Sequence, residues 1–582
     1  MDVRGNVLAF SGEIFGGVAG AASGAENDAA ALLAAFDEVF ARAPDDEGIA
    51  ASALVARLRG PWALAYWHEA SKRLWFGRDV FGRRSLLLRR VFSPGPAGDA
   101  RRDASPRATG LVLSSVAPER GEDALSPETD DWEELEPGLY CVDARAAGKE
   151  NERAFVPDAK RAAAAPRSGA LAERLRRFRR ARAATRPAVE RALTEDASAR
   201  GETEDSDTEV NDEKKNANTA RDAAVDGFVA ALAAAVERRV ALSVADPLAP
   251  RGNGTSDVPS DGRAFIGVLF SGGVDSMLLA ALAHRHVPPG RAVDLINVCF
   301  DGGSSPDRAA ALDGAAELQA LFPARDWRLV RVDADVEEVR RGLPAARLAG
   351  LLRPARTVMD RNIGAALWLA ARGEGWVDVA SAPAASRAAG AARLAAGVRV
   401  PYASRARVLL LGQGADEQCA GYSRHRAAFR AGASSGEAIR ALAKEEGPAE
   451  GLSPARDWEA LGDAVRLDAT RLWRRNMGRD DRLVSDRGRE ARFPFLDEGV
   501  AARLLATPLC DVADLSGHAG GDKLLVRAAA RRLGMHRAAA RAKRAIQFGS
   551  RVSKKFDVEA TRGSRRAARG AGASVSSIGS DA

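Results

Sequence analysis

Ser271-Gly272-Gly273-Val274-Asp275-Ser276 lies between a short apolar run, Phe265 to Phe270, and a helix-like stretch from Met277 to Leu282. A buried strand that ends in two glycines lets the backbone wrap tightly. Successive N–H groups then point at phosphate oxygens, and the helix N-terminus adds its partial positive charge. Glycine is needed there because a Cβ would block both a positive φ and a close approach. Ser271 and Ser276 add hydroxyl donors, and Asp275 supplies the hard oxygen ligand that a phosphate-bound Mg²⁺ prefers. No lysine follows the glycines, which excludes a Walker A loop. Without its flanking strand and Asp-Ser, the same SGG would read as an ordinary turn.

A second strand ending, Val408 to Leu411, runs into Gly412-Gln413-Gly414-Ala415-Asp416-Glu417. In a doubly wound sheet, ligands sit beyond the carboxyl ends of the strands, so two such loops can face one nucleotide. Asp275 and Asp416 would then share the magnesium, where a fixed dication stabilises the charge gathering on a leaving pyrophosphate. Taken singly, either carboxylate reads equally well as a helix cap.

These loops need a sheet to hold them. From Ala264 onward the runs FIGVLF, DLINVCF, WRLVRVD and RVLLLG are mainly apolar rather than alternating, and a helical pattern from Ile363 to Ala371 separates the last two. Strands of that kind predict a parallel sheet covered on both faces. Upstream, NVLAFSG, PWALAYW, RLWFGRD, SLLLRR, GLVLSS and GLYCVD read as strands around one helix near Asp28 to Phe40. The expected division is a first domain over 1–156, a charged low-complexity linker over 157–224, a second domain over 225–560 and a disordered tail over 561–582. Phe228 to Val240 shows helical spacing and is expected to open the second domain.

At 582 residues the chain can bury two or three cores. Net charge is +7, from 86 basic and 79 acidic residues. Much of the excess is arginine in an alanine-rich background, and a basic run near Arg174 to Arg182 faces an acidic one from Glu202, as in a solvated linker. The cysteines Cys141, Cys299, Cys419 and Cys510 are widely spaced, without a metal pattern, as expected of reduced thiols in a cytoplasmic protein. No signal pattern or membrane-length apolar stretch is present in the sequence.

The first loop resembles the PP-loop of ATP pyrophosphatases, which cleave ATP between the α and β phosphates to form an adenylate. With GADEQCAGY, EARFPFLD at Glu490 to Asp497 and KRAIQFGS at Lys543 to Ser550, the second domain resembles the synthetase domain of asparagine and β-lactam synthetases. The resemblance implies ATP and Mg²⁺ as cofactors, Lys543 at the α-phosphate or adenylate, and Leu269 and Val298 beside adenine. The first domain resembles the class II glutamine amidotransferase domain of the asparagine synthetases, through LAFSGEIFGG at Leu8, LWFGRDVFGRRSLLL at Leu74, LSSV at Leu113 and EPGLY at Glu136. The implied fold is α/β: a partial αββα Ntn-hydrolase-like domain, then a doubly wound PP-loop domain of the adenine-nucleotide hydrolase type with a helical C-terminal part.

Departures from that pattern are specific. The family's glutaminase uses an amino-terminal cysteine whose own α-amine is the base, whereas this sequence begins Met1-Asp2 and its first cysteine is Cys141. Ser11 replaces the family's oxyanion asparagine, while Gly12, Glu13 and Asp28, the implied partner of a substrate ammonium, remain as glutamine-site remnants. Two explanations stand open: the sequence lacks its first segment, which the retained downstream motifs favour, or glutaminase activity is absent. Gln413 occupies the family's glutamate, a candidate general base, and cannot accept a proton at neutral pH. Loss of such a base costs about 10² to 10⁴ in rate.

The expected function is an ATP-dependent amide-forming ligase of the asparagine synthetase type, using aspartate and ammonia or glutamine nitrogen, with small molecules as partners and no membrane or nucleic acid. A nucleotide-binding regulatory or scaffold protein that has lost turnover is the alternative. PP-loop RNA modification, a third class, lacks a cysteine pair and an RNA-binding module. The acceptor acid and the oligomeric state are not legible in the sequence.

Overall fold

Asn27 begins the first helix by accepting hydrogen bonds from the N–H groups of Ala29 and Ala30. The helix, α1 (Asp28–Arg42), then buries Leu32, Phe36 and Phe40, spaced by four along one face. The computed structural model describes residues 2–18, 27–92, 108–118, 132–145, 207–244, 264–334, 345–378, 398–431, 458–516 and 520–555, with 337, 341 and 343. In the first body, α1 and α2 (Glu47–Arg57) cover an antiparallel sheet ordered β1-β2-β3-β7: Val7–Gly12, Trp62–His68, Arg73–Arg78 and Gly138–Asp143. Behind it lies a second antiparallel sheet, β5-β4-β6, from Ala108–Ser114, Leu87–Phe92 and Trp132–Glu134. Ala63, Phe76, Leu86 and Leu88 form the apolar layer there. The layering among the described residues is helix, sheet, sheet, and all six expected strands and the helix near Asp28 are present. Helix α2 and strand β6 escaped the sequence reading, β6 because three residues show no alternation.

The second body carries a seven-stranded sheet ordered β12-β11-β10-β9-β8-β13-β14. Its strands are β8 (Ala264–Leu269), β9 (Ala292–Cys299), β10 (Trp327–Asp333), β11 (Glu374–Asp378), β12 (Arg399–Ala403), β13 (Val408–Leu410) and β14 (Glu490–Arg492). The five strands from β10 to β14 in that order are parallel. The outermost pair, β11 and β12, runs antiparallel as a hairpin-like edge. Burial on both faces explains the mainly apolar runs, and the polar residues within them, Asp294, Asn297, Arg328 and Arg331, are buried too. Ile266, Val268, Leu295 and Leu410 enter one core, while Ile296, Val298, Val330 and Leu409 enter the other. Helices α3 (Asp207–Val244) and α4 (Val274–Ala283) pack on the first face through Phe228, Leu232, Val236 and Met277.

Helix α5 (Pro306–Leu321) follows β9, and α6 (Val358–Arg372) covers the second face with Leu367 and Trp368. Helix α3 begins at Asp207, so its first half runs through the segment read as linker. Residues 157–206 of that linker and the tail over 561–582 lie outside the described residues. No helix among the described residues is long and apolar enough to cross a membrane.

Arginines join the two bodies. Arg83, 1% exposed, binds Asp79 at 2.9 Å and Glu498 at 2.5 Å, and donates to the Leu496 carbonyl at 2.8 Å. Arg84 holds Asp481 and Glu490, and Arg482 reaches Glu134 at 2.5 Å. Buried charges persist only when paired and hydrogen-bonded, so these contacts tie the first body to β14 and to the helix Gly478–Ser485 before it.

Candidate active site

β13 pairs in parallel with β8, Val408 opposite Ile266 and Leu410 opposite Val268, so the loops that follow the two strands leave the sheet side by side. β9 and β10 lie on the other side of β8, which makes the β8/β13 boundary the point where strand order reverses and a crevice opens. Gly272 has φ of +73°, and a Cβ there would collide with the carbonyl of Ala310 in α5. Gly414, φ +97°, starts the short helix α7 (Ala415–Gln418), and a Cβ there would meet the Leu496 side chain. Both turns therefore demand glycine.

Asp275 and Asp416 meet across Lys523. Its Nζ is 2.6 Å from Asp275 Oδ2 and 2.6 Å from Asp416 Oδ1, with the lysine 1% exposed. Lys543 Nζ lies 2.7 Å from Asp416 Oδ2 and 4.6 Å from the ring centre of Tyr422. Burial raises both carboxyls. The ammoniums of Lys523 and Lys543 outweigh it at Asp416 and hold that group below the usual range. Among the described residues Asp275 has one cation, Lys523, in direct contact and a neighbouring negative charge, so burial wins and its carboxyl moves up. Burial opposes the charge on Lys523, but the two carboxylates prevail and raise it.

Asp275 Oδ1 is buried without a hydrogen-bond partner among the described residues, and no further histidine, cysteine or carboxylate joins the pair in a metal-binding group. Two carboxylates with one open oxygen suit Mg²⁺, which characteristically takes its other ligands from phosphates and water. The donor set fits that ion.

The crevice forms a cavity of about 470 Å³ whose wall includes Leu269, Ser271, Gly273, Val298, Gly412 and Gln413. Ser271 Oγ accepts from Gly273 N at 3.2 Å, and Ser276 Oγ donates to the Gly273 carbonyl at 3.0 Å, so both hydroxyls shape the loop itself. Gln413 donates to Asp480 Oδ2 at 3.0 Å, and Arg479 closes the other side of that carboxylate at 2.8 Å. Burial raises Asp480 despite the guanidinium beside it. Glu417 accepts from Tyr422 Oη at 2.6 Å and from Gly414 N at 3.1 Å.

In the first body, Ser11, Gly12 and Glu13 lie at the end of β1, and Asp28 Oδ2 accepts from Ile14 N at 2.7 Å. Glu13 is 3.2 Å from Arg492 of the second body. Burial, then the nearby Glu490 carboxylate, raises Glu13; burial raises Asp28 against its backbone hydrogen bond. These residues form a group of their own, at the junction of the two bodies.

The asparagine synthase family matches residues 260–322 and 391–568, the segments that contain both glycine turns, Lys523 and Lys543. The chain is 32% identical to asparagine synthetase domain-containing protein 1 of Bos taurus and of Mus musculus, and 31% identical to that of Homo sapiens. Each of these comparisons covers 95% of this chain and 85 to 86% of the relative. The chain belongs to this asparagine synthetase domain-containing family. Membership accounts for the doubly wound sheet and its paired glycine turns.

Sequence reasoning missed Lys523, which links the two carboxylates, and Arg541, which donates to the Gly272 carbonyl at 2.5 Å. Lys523 follows Gly520-Gly521-Asp522 and precedes a helix, a glycine turn like the other two, and that pattern is the signal that was available. A five-residue π-helical turn, Trp473–Met477, also went unread; it puts Arg475 and Asn476 in the cavity wall.

Proposed function

We propose that this protein is an ATP-dependent ligase that activates a carboxylic acid as an adenylate and passes it to an amine. The observation that carries this reading is the convergence of Asp275, Asp416, Lys523 and Lys543 on one cavity at the reversal point of the sheet. The glycine turn after β8 and the N-terminus of α4 receive phosphate oxygens, and Lys523 and Lys543 offset the charge of the triphosphate. Lys543, steadied by Asp416 and the Tyr422 ring, is placed to stabilise charge at the α-phosphate as the acid attacks it and pyrophosphate leaves. Asp275 and Asp416 would hold Mg²⁺, which when bound supplies electrostatic stabilisation of the leaving pyrophosphate. Leu269 and Val298, at adjacent strand ends, supply the apolar edge for adenine, and aspartate is the first acid to test.

Exchange of labelled pyrophosphate into ATP, measured with aspartate and a panel of other acids, tests the reading. Exchange that Asp275→Ala lowers by about 10² or more supports it. No exchange above that variant with any acid would rule it out.

Gln413 favours a second reading. Its amide is committed to Asp480 and offers no base for an incoming amine, which suits a nucleotide-binding protein without turnover. ATP would then raise the melting temperature while no AMP forms.

A further inference from the structure

Among the described residues Gln413 is anchored by one end of its amide. Its Nε2 donates to Asp480 Oδ2 at 3.0 Å, whereas its Oε1 accepts no hydrogen bond from them and is not a buried atom. The residue is half-buried and forms part of the cavity wall. An amide carries oxygen and nitrogen on opposite sides of one carbon, so a nitrogen fixed on Asp480 leaves the oxygen as the end turned to the cavity.

That orientation is imposed from behind. A carboxylate only accepts hydrogen bonds, so the nitrogen of the amide, not its oxygen, must face Asp480. Asp480 is itself held: Nε and Nη2 of Arg479 both lie 2.8 Å from its Oδ1, which leaves Oδ2 for Gln413. Nη1 of Arg479 reaches Asp360 Oδ1 at 2.5 Å, and Thr357 Oγ1, at the start of α6, donates to Asp360 Oδ2 at 2.5 Å. Asp360, Arg479 and Asp480 are all buried, and a connected buried network of this kind holds one geometry. A chain of side chains from α6 through the helix Gly478–Ser485 thus fixes a single amide on the loop after β13.

The place of that amide defines what it meets. A Cβ on Gly412 would lie 3.0 Å from Asp275 Cβ, so the loop rests against the carboxylate pair. In the sheet β9 and β13 flank β8 on opposite sides. Leu269 and Val298, at the ends of β8 and β9, are assigned to adenine, which puts Gln413 on the other side, on the loop whose Asp416 holds Lys543. An acyl group joined to the α-phosphate at Lys543 is approached by its nucleophile from here. A neutral amine has N–H donors and one lone pair. An acceptor that takes an N–H leaves the lone pair free for the acyl carbon, whereas a donor would occupy it.

We infer that Asp480 is a positioning residue that locks the Gln413 amide oxygen toward the cavity, where it accepts an N–H of the incoming amine and aims the nitrogen lone pair at the acyl carbon. The inference rests on the proposed ligase reading. The lone pair forms the C–N bond, the C–O bond to the phosphate of AMP breaks with its electron pair on oxygen, and one nitrogen proton passes to the leaving phosphate or to water. Gln413 takes no proton in this step.

The two half-reactions, measured separately on the full chain with Mg²⁺, test it: exchange of labelled pyrophosphate into ATP with the acid of the panel that gives most exchange, and amide formation from that acid as ammonium chloride is varied. In Asp480→Asn, Arg479 retains the new amide's oxygen, its NH₂ faces Gln413, and the Gln413 amide turns to present nitrogen to the cavity. Ammonia-dependent turnover should then fall about ten- to a hundredfold further than exchange does, the scale of a misplaced reactant. Adding Gln413→Glu to Asp480→Asn reverses donor and acceptor, restores an oxygen to the cavity and should recover most of the loss, which a merely structural role would not produce. Gln413→Met, which removes the acceptor, should show the same selective loss and serves if Asp480→Asn does not fold. Equal losses in the two half-reactions, or a selective loss that the double variant does not recover, would overturn the assignment. Wild-type exchange without amide formation would overturn it while leaving adenylation standing, and no exchange with any acid would remove the ligase reading and this inference with it.

Discussion

Asp275 and Asp416, from two loops far apart in sequence, face the same ammonium: Lys523 Nζ is 2.6 Å from each. Two half-buried carboxylates so close would repel, and the shared cation, itself buried, makes their approach stable. Lys523→Met should therefore lower stability by about 3–5 kcal/mol, the usual cost of leaving a buried charge unpaired. Adding Asp275→Asn should recover part of the loss, because the two residues are coupled. Thermal unfolding of the single and double variants checks this.

Gly272→Ala should fail for two reasons at once. A left-handed φ of +73° strains any Cβ, and this Cβ has the Ala310 carbonyl in its way. A loss of about 1–3 kcal/mol is expected from backbone strain alone. ATP should no longer raise the melting temperature of this variant.

Gln413→Glu sets a second carboxylate against Asp480, 3.0 Å from the present amide nitrogen. Repulsion and burial would raise the new carboxyl above its unfolded value, so the folded form binds the extra proton. The penalty is absent below about pH 4 and grows as pH rises. Melting temperatures at pH 5 and pH 8 should differ more in the variant than in the wild type.

Asp307 titrates in the same sense. Its carboxyl is raised from 3.8 to about 7 by burial, so the wild type loses stability as pH climbs through that window, with the full loss above it. Asp307→Asn removes the titration and should gain about 1–3 kcal/mol over the wild type at pH 8 and little near pH 4. Denaturant unfolding at the two pH values reads the difference.

Arg83→Ala leaves Asp79 and Glu498 buried without their guanidinium. A cost of about 3–5 kcal/mol is expected, concentrated at the junction of the two bodies. Faster proteolysis between them, ahead of global unfolding, is the expected signature.

The glycine turns announced themselves in the sequence because their chemistry is local. A continuous apolar strand, two glycines and an acid within a few residues suffice to specify a phosphate turn, and Leu32, Phe36 and Phe40 specify a helix face by spacing alone. The same locality gave the parallel sheet, since strands buried on both faces, such as Ala264 to Leu269, show no regular polar alternation. What the chain could not state was proximity. That Asp275 meets Asp416 follows from β13 pairing with β8, a contact made only when the sheet assembles. Lys523 and Arg541 reach the loops from a distant helical segment, Arg492 reaches Glu13 across two bodies, and Asp307 is raised by the burial that its neighbours impose. Periodicity and turn chemistry act over a few residues, whereas burial, ion pairing and unsatisfied acceptors are properties of neighbours in space, and only the tertiary structure decides who those neighbours are.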